Sequence, residues 1–303
     1  MPSRRSPALV AAVVSTLLLA TCSGTTPSGP SGGGGNNPPP ASSSVVNAAG
    51  DIGECGFGAL QTGQILDGLS GTILALGDLA YMEGSAANFS QCYDPAWGRH
   101  KGRTRPVPGN HEYETDRTAK AYYDYFGSAA GERGAGYYAF TEGPWRVIAI
   151  NDNISFAPGS AQMQWLRDEL ETTRTVCTLV YWHKPLFSSG PNGTVNDGAA
   201  SRVLWTTLIE FGVDVVLNGH DHEYERFGVQ DADGKPSVNG VREFVVGTGG
   251  AHSYTPQAVK PNSEFRLSGI YGILRLNLFA ASYHWDFYTG PNAIADRGDG
   301  ACH

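Results

Sequence analysis

The chain has 303 residues, a formal net charge of −8 and 41% hydrophobic residues. Acidic residues outnumber basic ones, 29 Asp and Glu against 21 Lys and Arg. This argues against nucleic-acid or anionic-membrane binding through the folded part, because both need an excess of clustered Lys and Arg.

The first element is Arg4-Arg5 followed by an apolar stretch from Ala8 to Ala20 and then Thr21-Cys22. A basic start, a short apolar segment and a small-residue boundary read as an export signal over 1–22, of bacterial type and too short for a comfortable membrane span. Leu19-Ala20-Thr21-Cys22 is similar to a lipoprotein box, so Cys22 is a lipidation candidate. The expected location is outside the cytoplasm, either lipid-anchored at the cell surface or secreted. Residues 23–44 are Gly, Pro, Ser, Thr and Asn with almost nothing apolar, and cannot bury enough surface to offset their ordering entropy. They read as a disordered tether spanning about 25 Å as a coil. Residues 45–303 form the expected single domain.

Within that domain, short apolar runs end at polar turns. Val45 to Ala49 precedes Gly50-Asp51, and Thr72 to Leu76 precedes Gly77-Asp78-Leu79-Ala80-Tyr81. Arg105 to Pro108 precedes Gly109-Asn110-His111-Glu112. Thr178 to Trp182 precedes His183, and Val213 to Leu217 precedes Gly219-His220-Asp221-His222. Such runs read as buried strands stopping at loops. Between them, Phe57–Leu69, Thr118–Phe126, Ser160–Leu170 and Ala199–Phe211 carry helical patterns, the third with a serine cap. The final third, with Arg242–Gly247, Tyr271–Leu278 and Ser282–Tyr288, reads as strands without helix. The pattern predicts an α/β fold, a four-layer α/β/β/α sandwich of two mixed sheets flanked by helices, with its site on loops at strand carboxyl ends.

The loop residues carry the chemistry. Asp51, Asp78, Tyr81, Asn110, His183, His220 and His222 are oxygen and imidazole donors, suited to a pair of first-row transition ions. His220 and His222 lie two apart and share a face in an extended segment. Taken singly, Asp51 would be a turn carboxylate, Tyr81 a core aromatic and His183 a packed strand-end histidine. The ordered set favours ligands. Of the cysteines other than Cys22, Cys55, Cys92, Cys177 and Cys302 have no metal-binding spacing. An even count in an exported chain favours two disulfides. Three pairings are possible. Position favours Cys55–Cys92, both just after early site loops, and Cys177–Cys302, which would pin the C-terminus to a central strand. Asn88, Asn153 and Asn192 head glycosylation sequons that a bacterial-type signal makes chance matches.

The five ordered motifs resemble those of the calcineurin-like metallophosphoesterases, and within them the purple acid phosphatases, over Val45 to Cys302. The discriminating feature is Asp51-Ile52-Gly53, which lacks the first-motif histidine of most metallophosphoesterases, together with Tyr81 three residues after Asp78. The resemblance implies that Asp51, Tyr81 and His222 hold one ion, Asp78 bridges, and Asn110, His183 and His220 hold the other. It implies Fe(III) at the Tyr81 position with a divalent Fe, Zn or Mn partner. It further implies hydrolysis of a phosphate monoester by metal-activated hydroxide, with His111 as acid or electrostatic partner of the leaving group. A phosphodiesterase acting on nucleotide or lipid head-group diesters is the alternative enzyme. A non-catalytic, surface-anchored metal-binding protein is the alternative of a different class. The N-terminal β-domain of large plant-type members has no counterpart here; only the tether precedes Val45. No second substrate-facing histidine stands between His183 and His220, so Asn192, Asn196 or, after Gly247-Thr248-Gly249-Gly250, His252 are the candidates for contact with substrate.

Overall fold

Short β-branched and aliphatic runs alternate with amphipathic helices along the chain. A computed structural model describes residues 43–193, 199–255 and 257–303. All of them lie in one unit, Pro39–His303. Cys22, the signal, nearly all of the tether and Asn196 lie outside the described residues.

The first sheet contains β1 (Ser44–Ala49), β2 (Thr72–Leu76), β3 (Thr104–Val107), β11 (Ile273–Leu278), β12 (Ser282–Gly290) and β13 (Ala293–Ala301). Their order is β13-β12-β11-β1-β2-β3. The β1–β2 and β2–β3 pairs are parallel, and the remaining pairs antiparallel. The second sheet contains β4 (Tyr138–Glu142), β5 (Trp145–Ala149), β6 (Cys177–Tyr181), β7 (Val215–Asn218), β8 (Glu223–Phe227), β9 (Arg242–Val246) and β10 (Ser263–Ser268). Its order is β10-β8-β9-β7-β6-β5-β4, parallel from β5 through β6 and β7 to β9. Both sheets are mixed, as the sequence pattern predicts.

Side-chain alternation sorts the second sheet between two cores. Leu179, Tyr181, Val215, Leu217, Phe244 and Val246 join the large core that also holds Val46, Ile73, Leu274 and Trp285 of the first sheet. Their neighbours Val180, Val216 and Val245 pack instead with Met163, Leu166, Leu204 and Leu208. Those four come from the helices Ala161–Thr172 and Ala199–Glu210. Ser160 caps the first of these, its hydroxyl accepting from the Met163 N–H at 3.3 Å. On the first sheet, the helix Phe57–Asp67 buries Ala59, Ile65 and Leu66. The predicted helix at Thr118–Phe126 is shorter, Lys120–Phe126. The segment 86–103 folds as a series of short helical turns.

Two disulfides join distant segments. Cys55–Cys92 sits beside the first two site loops, and Cys177–Cys302 links the start of β6 to the chain just beyond β13. The second therefore ties one sheet to the other. No helix among the described residues is long and apolar enough to cross a membrane.

Candidate metal centre

Strands β1, β2, β3, β6 and β7 each run into a loop of this site. Backbone hydrogen bonds stitch the loops together. The Gly50 N–H donates to Val246 O at 2.9 Å, Asp51 to Gly77 O at 3.0 Å, and Gly219 to His183 O at 2.9 Å. The chain pays for the sharp turns in backbone strain: Asp51, Asp78 and His220 adopt left-handed φ of 60°, 50° and 69°. Non-glycine residues take up such conformations where the surroundings over-determine them, often at functional sites. Two glycines are required by space. A Cβ on Gly109 would lie 2.1 Å from Asp78 Oδ1, and one on Gly77, at φ +83°, would lie 2.6 Å from the His183 ring.

Six of the seven side chains converge. The Tyr81 hydroxyl is 2.8 Å from Asp51 Oδ1, 3.4 Å from Asp78 Oδ2 and 3.1 Å from His222 Nε2. His222 Nε2 is 3.3 Å from Asp51 Oδ1. Around Asp78, His183 Nε2 lies 3.0 Å from Oδ2, and His220 Nδ1 lies 3.1 Å from His183 Nε2. Asp78, His183 and His220 thus form one cluster of potential metal donors, and Asp51, Tyr81 and His222 a second, with Asp78 touching both. Asn110 adds a buried Oδ1 that has no hydrogen-bond partner among the described residues. A buried orphan acceptor is costly unless a donor or a cation completes it.

The electrostatics point the same way. Burial works to raise the pKa of Asp78, but the His183 imidazole outweighs it and holds the carboxyl well below its usual range. Burial works to lower His183, and Asp78 reverses this, raising it to about 10. Burial and then the His183 charge push His220 down to about 3. For Tyr81, burial, Asp51 and Asp78 all raise the phenol pKa. Protons and hydrogen bonds only partly compensate this concentration of anions. The set of hard oxygen donors and imidazoles fits a pair of transition ions.

Each imidazole is fixed by its other nitrogen. His183 Nδ1 lies 2.8 Å from Leu76 O, and His222 Nδ1 lies 2.5 Å from His252 O. A carbonyl can only accept, so both rings carry a proton on Nδ1 and turn Nε2 toward the cluster. His111 is held likewise, Nδ1 against Met82 O, with Nε2 3.8 Å from Asp78 Oδ2.

A family model described as calcineurin-like phosphoesterase matches residues 46–224. The chain belongs to the calcineurin-like phosphoesterases. Among the relatives, Purple acid phosphatase 15 of Arabidopsis thaliana is 28% identical over 187 residues, covering 51% of this chain and 35% of that protein. Fe(3+)-Zn(2+) purple acid phosphatase 12 of the same plant is 26% identical over 258 residues, covering 74% of this chain and 55% of that protein. The chain therefore aligns with about a third to a half of these relatives' length. A solved purple acid phosphatase from yellow lupin (Lupinus luteus) seeds shares the fold, with a TM-score of 0.76 at 19% identity, over 87% of this chain and 55% of that one.

The calcineurin-like phosphoesterase loops contain two supports that the sequence reading did not single out. The buried Glu112 carboxylate accepts from the N–H groups of Asp78, Leu79, Ala80 and Gly109, at 3.0, 2.8, 3.2 and 2.7 Å. It ties the second and third loops together. Asp221 accepts from the Ser188 hydroxyl and from both N–H groups of Asn192, backbone at 3.1 Å and side chain at 2.9 Å. Asn192, a candidate for substrate contact, thus has a side-chain N–H committed to Asp221. His252 sits at the rim, its ring exposed and 2.8 Å from Glu54, while its carbonyl orients His222. The only sequence signal for Glu112 and Asp221 is their place beside a proposed ligand.

Proposed function

We propose that this chain is an exported, metal-dependent hydrolase of phosphate monoesters, similar in action to the purple acid phosphatases. The observation that carries the reading is the convergence of Asp51, Asp78, Tyr81, His183, His220 and His222 from loops of both sheets, with a phenol in one half of the cluster. Asp51, Tyr81 and His222 would hold a trivalent iron, Asp78 would bridge, and Asn110, His183 and His220 would hold a divalent partner. Bound there, such a pair would supply Lewis-acid polarisation of a phosphate oxygen and an acidified water.

The chain's own groups do the rest. His111, fixed at Nδ1 by Met82 O, keeps Nε2 on the site side. When the ring is protonated, this nitrogen delivers a proton to the departing alkoxide oxygen, work worth about 10²–10⁴ in rate. Glu112 keeps the Asp78 loop from moving as charge develops. The pair of disulfides supports an oxidising destination and therefore export. Anchoring through Cys22 belongs to the same proposal.

The test is metal content and turnover on one purified sample, assayed against a panel of phosphate mono- and diesters. Two ions per chain and preferential monoester cleavage are expected. Preference for diesters would replace the reading with a phosphodiesterase. Full metal occupancy with turnover of neither class would leave a metal-binding protein.

A further inference from the structure

Past β9 the chain runs through Gly247-Thr248-Gly249-Gly250-Ala251-His252-Ser253-Tyr254 and back across the mouth of the site. This segment is pinned along its length. The Gly249 N–H donates to Gly50 O and Ala251 N–H to Asp51 O, both at 2.8 Å. The His252 N–H donates to Glu54 at 2.7 Å, and the Ser253 hydroxyl accepts from the Gly269 N–H at 2.8 Å. Its last residue is thereby held over a proposed ligand: the Tyr254 ring stacks on His222 with centroids 4.0 Å apart and planes 14° from parallel.

The tyrosine hydroxyls of the second and third loops are committed. Tyr81 donates to Asp51, and Tyr113 accepts from the Asn151 side chain. The Tyr254 hydroxyl has no hydrogen-bond partner among the described residues, although its ring is half-buried. We propose that Tyr254 is a substrate-binding residue, whose phenol O–H donates a hydrogen bond to a phosphoryl oxygen of the bound ester. It serves from the second sheet as His111 does from the first. This rests on the phosphoesterase reading and adds a residue to it.

Two further points agree. The segment 184–193 contains no histidine, and the side chain of Asn192 is tied to Asp221. A phosphoryl group has several oxygens to satisfy in a centre where the proposed ligands would be occupied by metal.

The experiment compares the metal-loaded full chain with its Tyr254→Phe variant, which keeps the stacked ring and removes only the hydroxyl. Metal content, calorimetric Kd for inorganic phosphate, and KM and kcat for a monoester are measured on both. The variant should keep its metal, bind phosphate about 10- to 100-fold more weakly, the range for a hydrogen bond to a charged group, and show a raised KM. Phosphate affinity within about twofold of the wild type would overturn the proposal for Tyr254 alone. Metal loss in the variant would make Tyr254 a support for His222 and also overturn it. A metal-loaded wild type that neither binds phosphate nor cleaves esters would remove the phosphoesterase reading, and this proposal with it.

Discussion

Tyr81 stands where its own ionisation is opposed. Burial and the Asp51 and Asp78 carboxylates raise its pKa, so as part of the protein alone it remains a phenol donating to Asp51. Only a cation among these oxygens would reverse that balance and make a phenolate favourable. A phenolate on trivalent iron absorbs visible light through charge transfer, as the resemblance to the purple acid phosphatases implies. Tyr81→Phe keeps the ring and deletes the donor oxygen. The visible band should disappear and iron content should fall, with the fold retained; a visible spectrum and metal analysis of both proteins check this. An unchanged band in the variant would make Tyr81 a packed aromatic. Residues of this kind were legible in the sequence because their chemistry is in the side chain and their spacing marks a loop. Glu112, Asp221 and Tyr254 were not, because their roles depend on partners that only the fold supplies: N–H groups more than thirty residues away for Glu112, and the face of His222 for Tyr254.

Elements act here by delivering loops to a common point. Strands β1, β2 and β7 were readable because each is a mostly apolar run stopped by glycine, and β6 because its apolar run ends at Trp182-His183. Others escaped that rule. β8 reads Glu-Tyr-Glu-Arg-Phe, yet Glu223 and Glu225 are buried, Glu223 pairing through one oxygen with Arg266 and Glu225 accepting from Ser189 and Ser263. β13 reads Ala-Ile-Ala-Asp-Arg-Gly-Asp-Gly-Ala and forms because β12 offers it an edge. Neither sequence has the alternation that marks a strand in isolation. Where two loops meet, space is the constraint. Gly109 leaves no room for a methyl group beside Asp78, whose backbone N–H is 2.3 Å from the position a Cβ would take and is itself held by Glu112. Gly109→Ala should therefore push Asp78 away from His183, reduce bound metal and lower turnover about 100-fold or more, the scale for an ångström-sized misplacement. Metal analysis and steady-state assays would show it; a fully loaded, active variant would mean that the second and third loops part without consequence.

On the scale of the whole molecule, two sheets share one core and must also share the consequences of burying charge. The Cys177–Cys302 link across them closes a loop spanning 125 residues, which limits the unfolded chain most where its contacts are most distant in sequence. Within the second sheet, Glu243 of β9 is fully buried with one carboxylate oxygen unpartnered among the described residues. Burial raises its pKa well above the ordinary 4.5, the Phe187 N–H opposes this weakly at 3.5 Å, and Glu225 adds to it. The sign of the linkage follows. The folded state holds this proton at pH values where the unfolded chain has released it, so folding is favoured at low pH. That contribution is fully present below the unfolded pKa near 4.5 and is lost as pH rises toward the folded pKa. Glu243→Gln keeps the shape and removes the titration. Denaturant midpoints of the two proteins, measured from pH 4 to pH 8, should diverge, with the wild type losing stability relative to the variant as pH increases. Midpoints that run parallel over that range would show that Glu243 is ionised and compensated in the folded protein. The divergence would instead mark a domain whose stability favours acid, which would suit the role proposed for a protonated His111.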